Sequence, residues 1–147
     1  MDKYLLDTNI ILHYLRKNKT SEKIESELYL LDDEVVKIIS VVTIAELRCF
    51  AMSLNWGNEK TNNLSSLLKR LVTISINSTD KDLMDAYATL QSYSKNKLHG
   101  NPLGRSVGIG QNDIWIAATA LVTDSILVTT DSDFDHLHPE FINLRKF

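Results

Sequence analysis

The sequence predicts an α/β fold built on a mainly parallel sheet flanked by helices. Three observations carry that expectation. Short apolar runs rich in β-branched residues alternate with segments of helical periodicity. One late helical segment is apolar on nearly all sides, as a helix packed within a layered protein would be. Acidic residues also recur where a strand-like run gives way to a helix-like run, the positions that a parallel sheet gathers along its carboxyl edge.

Taken in chain order, Tyr4 to Leu6 reads as the first buried strand, followed by a helix from Asn9 to Lys17 and another from Ser21 to Leu31. Val35 to Val42 forms the second strand, and a third helix opens at Thr43. Leu64, Leu67, Leu68 and Leu71 recur at i, i+3, i+4 and i+7, which gives a helix over Lys60 to Leu71 one apolar stripe. Leu71 to Ile76 reads as the third strand. Thr79 to Lys97 is a long helical segment with Leu83, Ala86, Tyr87, Leu90 and Tyr93 along one side. Gly100, Pro102, Gly104 and Gly108 make Leu98 to Gly110 a loop. In Ile114 to Val122 only Thr119 is polar, so this helix is expected to be buried, and Ser125 to Thr129 supplies the fourth strand.

The 147 residues suffice for one domain, residues 1–147, burying roughly 70% of its unfolded surface around one core. Hydrophobic content of 44%, 24% charged residues and only two prolines exclude a disordered chain. No run approaches the roughly 20 apolar residues that span a bilayer, so no membrane association is expected. The start, MDKYLLDTNIILHYLRK, is too broken by charge to be a signal peptide. A single cysteine, Cys49, precludes an internal disulfide and fits a reducing, cytoplasmic setting. A net charge of −3 argues weakly against a nucleic-acid partner. Cancelling the charge of four acids with metal would leave a balance near neutral or slightly basic.

Those acids are Asp7, Glu46, Asp113 and Asp131, with Asp133 close by. Each has a plain structural explanation. Asp7 can cap the first helix. Thr43 and Glu46 match a capping box. Asp113 follows Asn112 where the dipole of the buried helix stabilises negative charge. Asp131 or Asp133 can cap a short helical turn through Phe134. As a set they admit a second explanation. Carboxylates gathered at one sheet edge repel one another, and a divalent cation relieves the repulsion, which points to an oxygen-ligated Mg²⁺ or Mn²⁺ site.

The order LLDTN, TIAELR, NDIWIAA and VTTDSDF resembles the PIN-domain ribonucleases, and within them the VapC-type toxins of toxin–antitoxin pairs. The resemblance spans essentially the whole chain, and NDIWIAA followed by TTDSDF is its most specific part. It implies a three-layer PIN-like fold and a Mg²⁺- or Mn²⁺-dependent endoribonuclease cleaving RNA phosphodiester bonds. Asp7, Glu46, Asp113 and Asp131 would form the acidic cluster, with Asp133 as a further acid and with Asp7 and Asp113 as the primary metal ligands. It also implies a homodimer and a small cognate antitoxin lying across the mouth of the site.

Around this centre, Thr8, Asn9 and Thr130 fit roles in orienting a carboxylate or contacting phosphate. Lys95, Lys97, His99 and Arg105 can hold flanking phosphates, or equally form a solvated helix end and loop. Trp115 is expected in the core and Trp56 at a helix end. Cys49 is expected as a buried small hydrophobe, and His13, His136 and His138 have no zinc-like spacing with it. Two other functions stand beside the nuclease. One is an aspartyl-nucleophile phosphatase attacking through Asp7, although Asn9 occupies the place of its usual second acid and cannot protonate a leaving group. The other is a non-catalytic RNA- or protein-binding module whose acids are caps.

Overall fold

The computed structural model describes residues 1–147 as one five-stranded, wholly parallel sheet with helices on both faces. β1 (Lys3–Leu6) leads into α1 (Thr8–Arg16) and α2 (Lys19–Leu28), then β2 (Val36–Ser40), α3 (Val41–Ser53) and α4 (Asn58–Leu68). β3 (Val72–Ile74), α5 (Lys81–Ser94) and α6 (Gln111–Thr123) follow. β4 (Ile126–Thr129), a 3₁₀ turn (Ser132–Leu137) and β5 (Asn143–Lys146) complete the chain.

The strand order is β3-β2-β1-β4-β5, so the chain winds outward from β1 in one direction and then returns to its other side. A crevice therefore opens at the carboxyl ends of β1 and β4, where the winding direction reverses. Alternate strand residues face opposite layers. Leu5, Ile38 and Leu127 pack with Leu83, Leu90, Ile114, Ile116 and Phe134 on one face. Leu6, Ile39 and Val128 pack with Ile10, Ile24, Leu47 and Leu64 on the other.

Expected and observed elements agree closely, with informative differences. β5 is not anticipated by the sequence pattern. It is an edge strand, largely exposed, and its Arg145 and Lys146 pair with Glu27 and Asp135. Charged side chains on an edge discourage pairing with another chain and erase the apolar signature of a strand. α3 begins at Val41, not Thr43, because the Ser40 hydroxyl caps it by accepting from the Val42 backbone N–H. The Thr43–Glu46 capping box is consequently not formed. Cys49 is exposed rather than buried. Trp115 is half-buried, with its ring centroid 4.2 Å from that of Tyr87, and Trp56 sits beneath the Lys60 ammonium.

Phe134 is fully buried and roots the 3₁₀ turn in the α5–α6 layer. Phe134→Ala should lower stability by about 3–5 kcal/mol, read from the midpoint of urea unfolding.

Candidate metal centre

The residues at the crevice are tied together from α1 to the 3₁₀ turn. Asp7 leaves the end of β1 as the N-cap of α1 and is 3% exposed. Its Oδ1 accepts from the Thr8 backbone N–H at 2.7 Å, and its Oδ2 accepts from the Thr129 hydroxyl at 2.8 Å. Thr129 is the last residue of β4, adjacent to β1, so sheet pairing brings the two together. The same hydroxyl oxygen accepts from the Asp131 backbone N–H at 3.0 Å, and Asp131 Oδ1 accepts from the Asp133 N–H at 2.9 Å. The capping role and the site role of Asp7 and Asp131 are thus compatible: a helix cap orients the carboxylate that faces the crevice.

Glu46 lies on the second turn of α3, and its Oε1 accepts from the Thr8 hydroxyl at 2.8 Å. That hydroxyl is also 3.3 Å from the Thr43 hydroxyl. Asp113 occupies the first turn of α6, where the helix dipole favours negative charge. Carboxylate oxygens of Asp113, Asp131 and Asp133 lie within 4.8 Å of one another, in a group that includes neither Asp7 nor Glu46. All five nevertheless share one electrostatic environment. Burial, followed by the charges of Asp7, Asp131, Glu46 and Asp133, pushes the Asp113 carboxyl up to about 7. Burial first, with smaller contributions from Glu46 and Asp131, pushes Asp7 up to about 6 despite its two hydrogen bonds.

The surrounding residues divide. Thr8 orients Glu46, as a supporting residue would. Thr129, which no sequence motif singles out, orients Asp7, and a threonine closing an otherwise apolar strand is the available signal for it. Asn9 faces solvent outside this network. Lys95 and Lys97 are exposed at the end of α5, with His99 and Arg105 exposed on the loop beyond. The charge of Arg105 reaches His136, which is hydrogen-bonded to Ser94 at 2.7 Å and to the Asp133 backbone, so Arg105 flanks the 3₁₀ turn. A recess of about 790 Å³ lies apart from this chemistry. It lies among α1, α2 and α4 and contains none of the five acids. A smaller one of about 390 Å³ includes Glu46 and Asn112 in its wall.

The donor set consists of carboxylate oxygens that destabilise one another's charge. It fits a hard divalent cation, which prefers oxygen, and offers no nitrogen or sulfur cluster for a softer metal.

Known proteins share this fold. The PIN domain family model matches residues 4–138. VapBC-1 from nontypeable Haemophilus influenzae is similar at 26% identity and a TM-score of 0.71, covering 97% of this chain and 96% of that one. FitAcB from Neisseria gonorrhoeae is similar at 28% identity and a TM-score of 0.65, covering 96% and 95%. VapBC2 from Rickettsia felis, solved bound to a promoter DNA fragment, shares the fold at 24% identity and a TM-score of 0.75, covering 98% of each chain. No curated protein sequence matches the chain.

The raised carboxyl pKa values set a pH dependence for the metal-free protein. Between about pH 4, where these acids titrate when unfolded, and pH 6–7, the folded state binds more protons, so their contribution to stability falls as pH rises. Asp113→Asn should remove part of that fall and raise stability at pH 8 by on the order of 1–2 kcal/mol, allowing for the partial solvation of Asp113. Urea titrations of both proteins at pH 5 and pH 8, in chelator, measure the difference.

Proposed function

The chain belongs to the PIN-domain family, and we propose that it is a metal-dependent endoribonuclease of the VapC type, the toxin of a toxin–antitoxin pair. The observation that carries this reading is the convergence of Asp7, Glu46, Asp113, Asp131 and Asp133 at the reversal of the sheet, with two carboxyls pushed up to about 6 and about 7. So much uncompensated acid is costly unless a cation is to be held there. Asp7, Asp113 and Asp131 would hold Mg²⁺ or Mn²⁺, supported by Glu46 and Asp133. When bound, such an ion supplies Lewis acidity to a phosphodiester and acidifies an attacking water.

The protein's own groups do the positioning. Thr129 and the Thr8 backbone N–H fix both oxygens of Asp7, leaving that carboxylate one orientation. Thr8 holds Glu46 through one oxygen, and the other is free to orient the attacking water and take its proton. Asp131 and Asp133 are fixed relative to each other by the backbone N–H of Asp133. Lys95, Lys97 and Arg105 supply positive charge on the α5 side for phosphates flanking the scissile bond, and Asn9 and Thr130 offer neutral contacts to them.

The VapBC neighbours support a small antitoxin as partner, and the family resemblance implies that it lies across the crevice. The family resemblance implies a homodimer, and the exposed apolar side chains of Met52 and Leu54 at the end of α3 support pairing with a second copy of the chain. No helix is long and apolar enough to cross a membrane, which is compatible with action in the cytoplasm.

Purified protein is expected to cleave single-stranded RNA with Mg²⁺ or Mn²⁺ and not in chelator. Asp7→Asn and Asp113→Asn should each abolish cleavage, and undiminished activity of both variants in chelator would refute the proposal. Thr129→Val leaves every acid in place but frees Asp7, so Mn²⁺ affinity by calorimetry should fall about 10–100-fold.

A further inference from the structure

The smaller recess shares one wall with the acidic centre. Val42, Ala45, Glu46, Cys49 and Phe50 lie at i, i+3, i+4, i+7 and i+8 on one face of α3, and Asn112 closes the recess from the first turn of α6, next to Asp113. Its volume of about 390 Å³ is in the range of small-ligand sites. The walls are apolar apart from Glu46 and Asn112, and Phe50 is 36% exposed with its ring available to the recess. A flat aromatic guest can stack on a phenyl ring at such a place, and a side-chain amide offers both a donor and an acceptor to a polar edge.

We propose that this recess holds the nucleobase adjoining the scissile phosphate, stacked on Phe50 and paired at its edge with Asn112. The inference rests on the nuclease reading and extends it to how the RNA is gripped. Continuity argues for this occupant. Glu46 belongs to both the acidic centre and the recess, so a phosphodiester at the carboxylates places an attached base against the apolar face of α3. The stack requires an unpaired base, so single-stranded RNA is the substrate class. Stacking tolerates any base, and the Asn112 amide then ranks the four bases.

The test uses the full chain carrying Asp113→Asn, titrated by fluorescence anisotropy with four single-stranded ribohexamers of A, C, G and U, beside cleavage of the same hexamers by the wild type. Phe50→Ala should weaken hexamer binding about 10-fold and raise KM in proportion, while Phe50→Trp retains binding. Asn112→Ala should change the ranking of the four hexamers. Alkylation of Cys49 by iodoacetamide should slow when hexamer is bound. Cleavage with unchanged affinity and ranking in Phe50→Ala and Asn112→Ala would overturn the proposal. So would a Phe50→Ala variant that passes from dimer to monomer by light scattering yet binds the hexamers as before, which would assign the recess to a second copy. Phe50-dependent binding without cleavage by the wild type would support the recess and count against the nuclease reading alone. Circular dichroism and melting of each variant confirm that the fold is intact.

Discussion

The two sides of the crevice are joined by one buried hydrogen bond, from the Thr129 hydroxyl to Asp7 Oδ2. It joins the ends of two neighbouring strands that are 122 residues apart in sequence. A charged carboxylate that is 3% exposed would be intolerable without donors, and the Thr8 backbone N–H and the Thr129 hydroxyl supply them. The Thr129 oxygen simultaneously receives the Asp131 N–H, which sets where the 3₁₀ turn leaves β4. One hydroxyl therefore fixes an acid from the first strand and an acid beyond the fourth.

The sheet is what makes that economy possible. Because β1 is central and flanked by β2 and β4, the acids at or beyond their carboxyl ends are neighbours whatever their separation along the chain. The cost is electrostatic. Desolvation outweighs the two hydrogen bonds to Asp7, and the accumulated charge of four neighbours adds to the burial of Asp113. Stability is given up locally so that charge is concentrated where a cation can use it, a common arrangement at functional sites.

Much of this was legible in the sequence. β1 to β4 announce themselves through apolar β-branched runs and the six helices through their length and apolar content, while Asp7 and Asp131 mark the strand ends. What escaped did so for identifiable reasons. β5 pairs on one side only and carries charge, so periodicity could not reveal it. The start of α3 differs from the sequence expectation because Thr43 and Glu46 satisfy the capping-box pattern while Ser40, three residues earlier, takes the cap. Thr43 is instead buried beside Thr8, and Glu46 is freed for the crevice. Thr129 is not marked in the sequence because its role rests on the pairing of β4 with β1, which sets its hydroxyl beside Asp7. Cys49 and Phe50, on a helix with little one-sided character, gave no sign of being exposed beside the site.

The placement of β1 has a consequence for biosynthesis. During synthesis β1 finds its β2 partner within 40 residues, but its other edge stays unpaired until β4 emerges some 90 residues later. At about 5–20 residues per second that wait lasts several seconds. Throughout it Asp7 lacks Thr129, and neither Asp131 nor Asp133 has been made. The acidic centre therefore cannot assemble on a partial chain. On the nuclease reading proposed above, a nascent chain would stay harmless until β4 and the turn that follows it had been made.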